Sequence, residues 1–153
     1  MRRFALSTLL IVIAVALAST YARAKDETID ELKARFQSSH LDEHPQLGIR
    51  IAFLQLRNAD TLYREGKVEE AVAALGDIVS YSEKASDAAT QTKKRLKNVE
   101  IDVRKIADKL RDIKRTLAFE DQPPVEQAVR RLEDLRTALL KEMFADDKKK
   151  VKK

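Results

Sequence analysis

The two histidines, His40 and His44, are the residues whose type and spacing could bind a metal ion. Side chains four residues apart share one face of a helix, and two neutral imidazoles on one face can ligate zinc or copper. Asp42 lies between them as a plausible N-cap, which would leave His40 in a connector and His44 in the first helical turn. Two interpretations stay open: a metal site at His40 and His44, or two exposed polar side chains beside a helix start.

The other groups that usually carry catalysis are missing from the sequence. There is no cysteine, no glycine-rich phosphate loop and no HExxH or G-x-S-x-G motif. A di-iron site in a helical bundle needs Glu-x-x-His motifs, and none occurs. Met143 could ligate haem together with a histidine, but a methionine ending an apolar stripe more often fills a core. We therefore predict a protein without enzymatic activity and without a cofactor.

The N-terminal segment, residues 1–24, has the layout of a secretory signal peptide. Two arginines follow Met1, residues 4–18 are largely apolar, and Ala22-Arg23-Ala24 supplies small residues at the A-x-A spacing. The apolar run is short for a membrane span, which favours cleavage after Ala24 over an uncleaved anchor. An export signal without any cysteine predicts a periplasmic or secreted protein that is stabilised by helix packing alone.

The positive charge of the chain is concentrated at its two ends. The formal net charge is +5, and removal of residues 1–24 with their three arginines leaves +2. The tail over 145–153 holds five lysines and two aspartates, so the body between the ends has a net charge of −1. A nucleic-acid-binding face is therefore not predicted. The tail is expected to be disordered, and it is either a solubilising end or a weak contact to an anionic membrane surface.

Small and apolar residues recur from Ala85 to Leu117 at alternating steps of four and three. This is the heptad period of a helix that presents one narrow seam to a partner. The seam consists of Ala85, Ala89, Thr92, Leu96, Val99, Val103, Ile106, Leu110, Ile113 and Leu117. Residues 67–122 contain no proline and Gly76 as their single glycine, so one long helix over 67–117 is predicted.

Shorter helices are predicted at about 27–38, 43–65 and 123–144, from apolar periodicity and from capping signals. The helix over 43–65 carries two apolar stripes, so it should be covered on more than one side, and Gly66 ends it as a left-handed cap. The second and fourth helices would cover the two halves of the long one. The predicted fold class is all-α: an elongated antiparallel three- to four-helix bundle over 25–144, built on one long central helix and preceded by a signal peptide.

The run Tyr63-Arg64-Glu65-Gly66-Lys67-Val68-Glu69-Glu70-Ala71 resembles the turn of a tetratricopeptide repeat, whose second helix commonly starts after a Gly-x-aromatic/apolar-x-x-Ala pattern. The resemblance covers about one hairpin, residues 54–82 at most, and implies two antiparallel helices there. No second copy follows at the period of the repeat, so an ordinary αα-hairpin with a glycine cap is the alternative. The whole chain also resembles, in composition, uncharacterised exported α-helical proteins of bacteria, which implies no activity.

Residues 85–92, within the predicted long helix, have only small or polar side chains. Such a segment is typical of a close helix crossing or of a bend. If it is left uncovered, a partner helix or a second copy could dock on Ala85, Ala88, Ala89 and Thr92.

These observations favour a non-enzymatic exported protein that acts through protein–protein contacts, as a scaffold, an adaptor or a chaperone-like binder. Its partner would be an unknown protein or a second copy of the chain. The alternative is a periplasmic helical bundle that carries a metal or a small ligand near His40, His44 or Met143.

Overall fold

A computed structural model describes residues 27–151, with side chains through Ala145. The described part contains five α-helices, two short 3-10 turns and no strand: α1 (Ile29–Ser38), α2 (His44–Arg64), α3 (Val68–Thr92), α4 (Leu96–Thr116) and α5 (Gln122–Val151). The predicted all-α helical bundle is thus confirmed. The predicted signal peptide with its cleavage site after Ala24 lies outside the described residues. None of the described helices combines the length and the apolar character that a membrane span requires.

Local capping signals begin α1 and end α2 close to the predicted positions. Thr28 begins α1 with a capping box: its hydroxyl accepts from the Glu31 N–H at 3.2 Å, and its own N–H donates to the Glu31 carboxylate at 2.8 Å. Gly66 follows the last turn of α2 with φ +74° and donates its N–H to the Tyr63 carbonyl at 3.1 Å. A left-handed glycine of this kind closes the helix, as predicted.

The predicted single helix over 67–117 is wrong, because the chain turns between α3 and α4. Lys93 and Arg95 have φ of 56° and 60°, in the left-handed region, and the helical hydrogen bonding stops there. Every position of the heptad seam is nevertheless buried or half-buried. The seam is therefore real, but two separate helices carry it.

The turn folds the chain into two hairpins, α2–α3 and α4–α5, that lie side by side. The ion pairs Arg131–Glu83 (2.5 Å) and Glu142–Lys93 show that α5 runs parallel to α3. Since α5 is antiparallel to its hairpin partner α4, helix α4 is antiparallel to α3 and parallel to α2. The architecture is an up-down-up-down four-helix bundle in which α3 packs on α5 and α2 packs on α4.

Two clusters of buried apolar side chains hold this arrangement together. The main core runs through α2, α3, α4 and α5 and includes the seam residues Val99, Val103 and Ile106. Helix α1 packs outside the bundle, on the α2–α3 hairpin. Its cluster consists of Leu32, Phe36, Leu47, Ile51 and Tyr81.

Helix α5 extends past residue 144, where the sequence predicted its end. The structure places residues 145–151 in this helix, where disorder was predicted, and only residues 152–153 of the predicted tail lie outside the described part. The physical reason is that neither proline nor glycine interrupts this stretch, so nothing local stops the helix.

Replacing Arg95 with glycine is expected to stabilise the fold by up to about 1 kcal/mol, because glycine adopts the left-handed region without steric strain. Urea unfolding of the full chain measures the change. The matched control is Arg95→Ala, which also removes the guanidinium but keeps the strain. An Arg95→Gly protein that is less stable than the Arg95→Ala protein would contradict the prediction.

Candidate functional site

A groove lies between α2 and α4, and we call it the α2–α4 groove. Its volume is about 730 Å³, which is within the range of ligand- and peptide-binding clefts. Side chains from these two helices, together with Leu117 just after α4, line it. They are Phe53, Leu56, Arg57, Asp60, Tyr63 and Arg64 on the α2 side and Lys109, Asp112, Ile113, Thr116 and Leu117 on the α4 side.

The floor of the groove is apolar and belongs to the main core. Leu56, Tyr63 and Ile113 are buried members of that core. Phe53 and Leu117 are half-buried and pack against it. Apolar side chains of a partner that settled on this floor would lose contact with water, at about 25 cal/mol per Å² of buried apolar surface.

The rims of the groove are charged, and most of their charges are already paired. On the α2 rim, Asp60 contacts Arg64 at 2.6 Å. On the α4 rim, Asp112 contacts Arg115 at 3.0 Å and Lys109 at 3.8 Å. Both acidic groups thus have basic neighbours on their own helix. This arrangement makes a hydrated border, not a pair of carboxylates converging for acid–base catalysis.

Arg57 is the exception on the α2 rim. Its guanidinium is exposed and contacts no carboxylate in the part of the chain that the structure describes. An unpaired guanidinium offers several N–H donors in a planar fork that suits a carboxylate. The α2 rim therefore offers one cation that has no carboxylate partner among the described residues.

Tyr63 places a polar atom in the apolar floor. Burial, and secondarily the nearby charge of Asp121, raise the pKa of its phenol above the ordinary value. Its hydroxyl is buried and has no hydrogen-bond partner among the described residues. A buried hydroxyl without a partner opposes folding.

A Tyr63→Phe variant is expected to be more stable than the parent by about 1 kcal/mol at neutral pH, because it removes this unpaired group. It should also lose less stability in alkali. With the pKa raised in the fold, the unfolded chain releases the phenolic proton first, near pH 10, so the stability of the parent falls as the pH rises past that value. Urea unfolding at about pH 7 and pH 10.5 tests both points.

The control for that variant is Tyr81→Phe. Tyr81 is buried to a similar extent, but its hydroxyl is not among the buried polar atoms that lack a hydrogen-bond partner. This second change is expected to bring no stabilisation. A Tyr63→Phe protein that is less stable than the parent at neutral pH would show that the hydroxyl contributes a favourable interaction.

Comparisons of the chain with protein-family models, with curated proteins and with solved structures found no match. The geometry of the groove is therefore the basis on which a function can be assigned.

The structure places the two histidines in different surroundings. The His44 ring stacks on Phe36 with 4.1 Å between ring centroids, and its Nε2 lies 3.3 Å from the Ser39 carbonyl oxygen. His40 is exposed in the connector before the first 3-10 turn. Among the side chains that the structure describes, through Ala145, no group of three or more histidine, aspartate and glutamate residues could hold an ion. His44 instead packs beside α1.

The segment predicted as a partner site is buried by the chain itself. Ala85, Ala88 and Ala89 are at most 1% exposed. A Cβ added to Gly48 of α2 would lie 3.0 Å from the Ala85 Cβ, so the two helices cross there without space for a further helix. Thr92 is half-buried and donates to the Ala88 carbonyl at 2.7 Å. The condition for docking on Ala85, Ala88, Ala89 and Thr92, that the segment is left uncovered, is therefore not met, and the close crossing is internal.

The α2–α4 groove was not predicted, although one signal for it exists. The second apolar stripe of α2, which includes Phe53, Leu56 and Tyr63, indicated that this helix is covered on more than one side. Arg57 and Lys109 carried no such signal, because isolated basic residues on helices are usually solvated.

Proposed function

We propose that this chain is a non-enzymatic exported helical protein that binds another protein through the α2–α4 groove, as a scaffold, an adaptor or a chaperone-like binder. The observation that carries the proposal is the apolar floor of the groove between two charged rims. Apolar surface with a polar border is the usual composition of a protein-binding site. The expectation of export rests on the signal pattern in residues 1–24.

The residues of the groove suit binding better than chemistry. The lining contains no histidine, cysteine or serine, which are the residues that most often act as general base or nucleophile. Asp60 and Asp112 each contact a basic side chain on their own helix. Their charges are therefore held along the border and do not converge on a reacting group.

An exposed aromatic residue at the same end of the bundle supports the proposal. Phe119 is 85% exposed and follows Leu117, the last lining residue, by only two positions. Aromatic side chains supply much of the binding energy at protein interfaces. A partner seated in the groove would have this ring within reach.

Photo-cross-linking in the cells that produce the protein tests the proposal. A benzoylphenylalanine placed at Thr116, an exposed lining position, is expected to capture one discrete protein, and the same group at Glu70 on α3 is not. Phe53→Glu should abolish the adduct, because it places a charge on the apolar floor. The matched control is Val72→Glu, which adds the same charge at an exposed apolar residue outside the groove.

An absent adduct at Thr116 would contradict the proposal. The same holds for an adduct of equal yield from Glu70, or for one that persists in the Phe53→Glu protein. Circular dichroism of each variant confirms that the helices are intact, so that loss of the adduct reports on the groove.

A further inference from the structure

We infer that the occupant of the α2–α4 groove is an amphipathic helix whose apolar stripe is flanked by acidic side chains. This inference rests on the proposed function and specifies the chemistry of the partner segment. Three features of the groove carry it: its length, the spacing of its rim residues and the sign of its unpaired charge.

The length and direction of the groove suit a short helix. The lining runs from Phe53 to Arg64 on α2 and from Lys109 to Leu117 at α4, which at 1.5 Å per residue is about 16 Å and 12 Å, or two to three helical turns. Because α2 and α4 are parallel, the groove follows both axes. A guest helix laid along it would pack against two ridges of side chains at once, in the helix-in-groove mode of recognition.

The rim residues recur at helical spacing. Arg57, Asp60 and Arg64 are three and four positions apart on α2, and Lys109, Asp112 and Thr116 have the same steps on α4. A guest helix presents its own flanking side chains every three or four residues. Its flanks would therefore meet each rim in register, whereas an extended segment, which advances about 3.3 Å per residue, would not.

The rims carry an excess of positive charge, with three basic residues against two acidic ones. Arg57 contacts no carboxylate within the described chain, and Lys109 lies 3.8 Å from Asp112, whose closer partner is Arg115 at 3.0 Å. A guest with acidic flanks would bring a carboxylate to one cation on each rim. A guest with basic flanks would meet two cations and find the rim acids engaged.

Three synthetic 18-residue peptides test the inference. Their binding to the chain over residues 25–153 is measured by fluorescence anisotropy. The first has a leucine stripe flanked by glutamates, the second carries lysines in place of the glutamates, and the third has the composition of the first in scrambled order. The acidic helix is expected to bind at least about tenfold more tightly than the other two, with a preference that weakens at high salt.

Charge reversal at the rims tests directly whether Arg57 and Lys109 set the preference between the acidic and basic helices. The Arg57→Glu/Lys109→Glu variant is expected to reverse the preference, so that the basic helix binds more tightly. The Lys97→Glu/Arg104→Glu variant makes the same change in net charge at exposed residues outside the lining. It is expected to leave the preference as it is, because those side chains do not border the groove.

Equal binding of the acidic and basic helices, or an unchanged preference after rim charge reversal, would overturn the inference. A dimer in light scattering that the Phe53→Glu change abolishes would also overturn it, because the occupant of the groove would then be a second copy of the chain. If no peptide binds but the Thr116 adduct forms, the inference fails and the proposed function stands. If that adduct is also absent, both fail.

Discussion

Replacing Gly48 with alanine is expected to destabilise the fold by about 1–2 kcal/mol, although alanine is the better helix former. The added Cβ would lie 2.8 Å from the Tyr81 carbonyl oxygen and 3.0 Å from the Ala85 Cβ. Both atoms belong to a neighbouring helix, so neither can rotate away as the end of a flexible side chain could. Helices α2 and α3 must therefore move apart, and the apolar contacts beside the crossing are lost.

Gly76 offers the matched control, because it also lies inside a helix. A Cβ added there meets nothing within 4 Å, so Gly76→Ala is expected to stabilise the fold by up to about 1 kcal/mol. Urea unfolding at neutral pH compares the two variants with the parent. A Gly48→Ala protein as stable as the parent would contradict the crossing.

Local sequence signals predicted the helices well, because the physics that sets a helix end is itself local. Thr28 and Glu31 satisfy each other's backbone across three residues, and Gly66 adopts a conformation that other residues avoid. The heptad seam was also predicted, since residues three and four apart share a helix face wherever the helix packs. These features do not depend on what the rest of the chain does.

The turn between α3 and α4 could not be predicted in the same way. Lys93 and Arg95 are good helix formers, and their left-handed conformation is strained by about 1–2 kcal/mol each. The fold accepts this strain because the turn lets the α4–α5 hairpin pack beside the α2–α3 hairpin, in one continuous core. Burial of a single large apolar side chain contributes about 1.5–3 kcal/mol, so several such contacts outweigh the strain.

The α2–α4 groove was missed for a related reason. Periodicity indicates which face of a helix is buried, but not which side of a bundle stays open. That side is decided where two hairpins meet, through the packing into one core of residues as distant in sequence as Leu56 and Ile113. The spacing of His40 and His44 likewise suggested a shared face, but the 3-10 turn between them removes the helix that would have placed them together.

Replacing Asp77 with alanine is expected to destabilise the fold by about 2 kcal/mol, because this carboxylate joins three helices. One of its oxygens accepts from the Gln55 amide of α2 at 2.5 Å and from the Lys33 ammonium of α1 at 2.6 Å. Gln55 is only 6% exposed, so its amide would lose a partner in a place that water hardly reaches. The side chains of Lys33 and Asp77 are 29% and 34% exposed, so solvent screens their ion pair and Gln55 dominates the loss.

The effect of that substitution should depend on pH in a defined direction. The hydrogen bond to Asp77 raises the pKa of Lys33 above its ordinary value. A raised pKa means that the contribution of Lys33 is complete below about pH 10.4, the value in the unfolded chain, and is lost as the pH rises through the folded pKa. The difference between the parent and Asp77→Ala, measured by urea unfolding, is therefore expected to stay constant near neutrality and to shrink in alkali.

Two further variants separate the partners of Asp77. Asp77→Asn keeps an acceptor for Gln55 but lacks the charge that Lys33 needs. Its stability should therefore lie between those of the parent and Asp77→Ala, and the difference between the two variants should not change with pH. Asp87→Ala, at an exposed aspartate of α3 that contacts no cation within the described chain, is expected to change stability by less than about 0.5 kcal/mol. If Asp77→Ala were as harmless as Asp87→Ala, the contacts of the Asp77 carboxylate would not contribute to the attachment of α1.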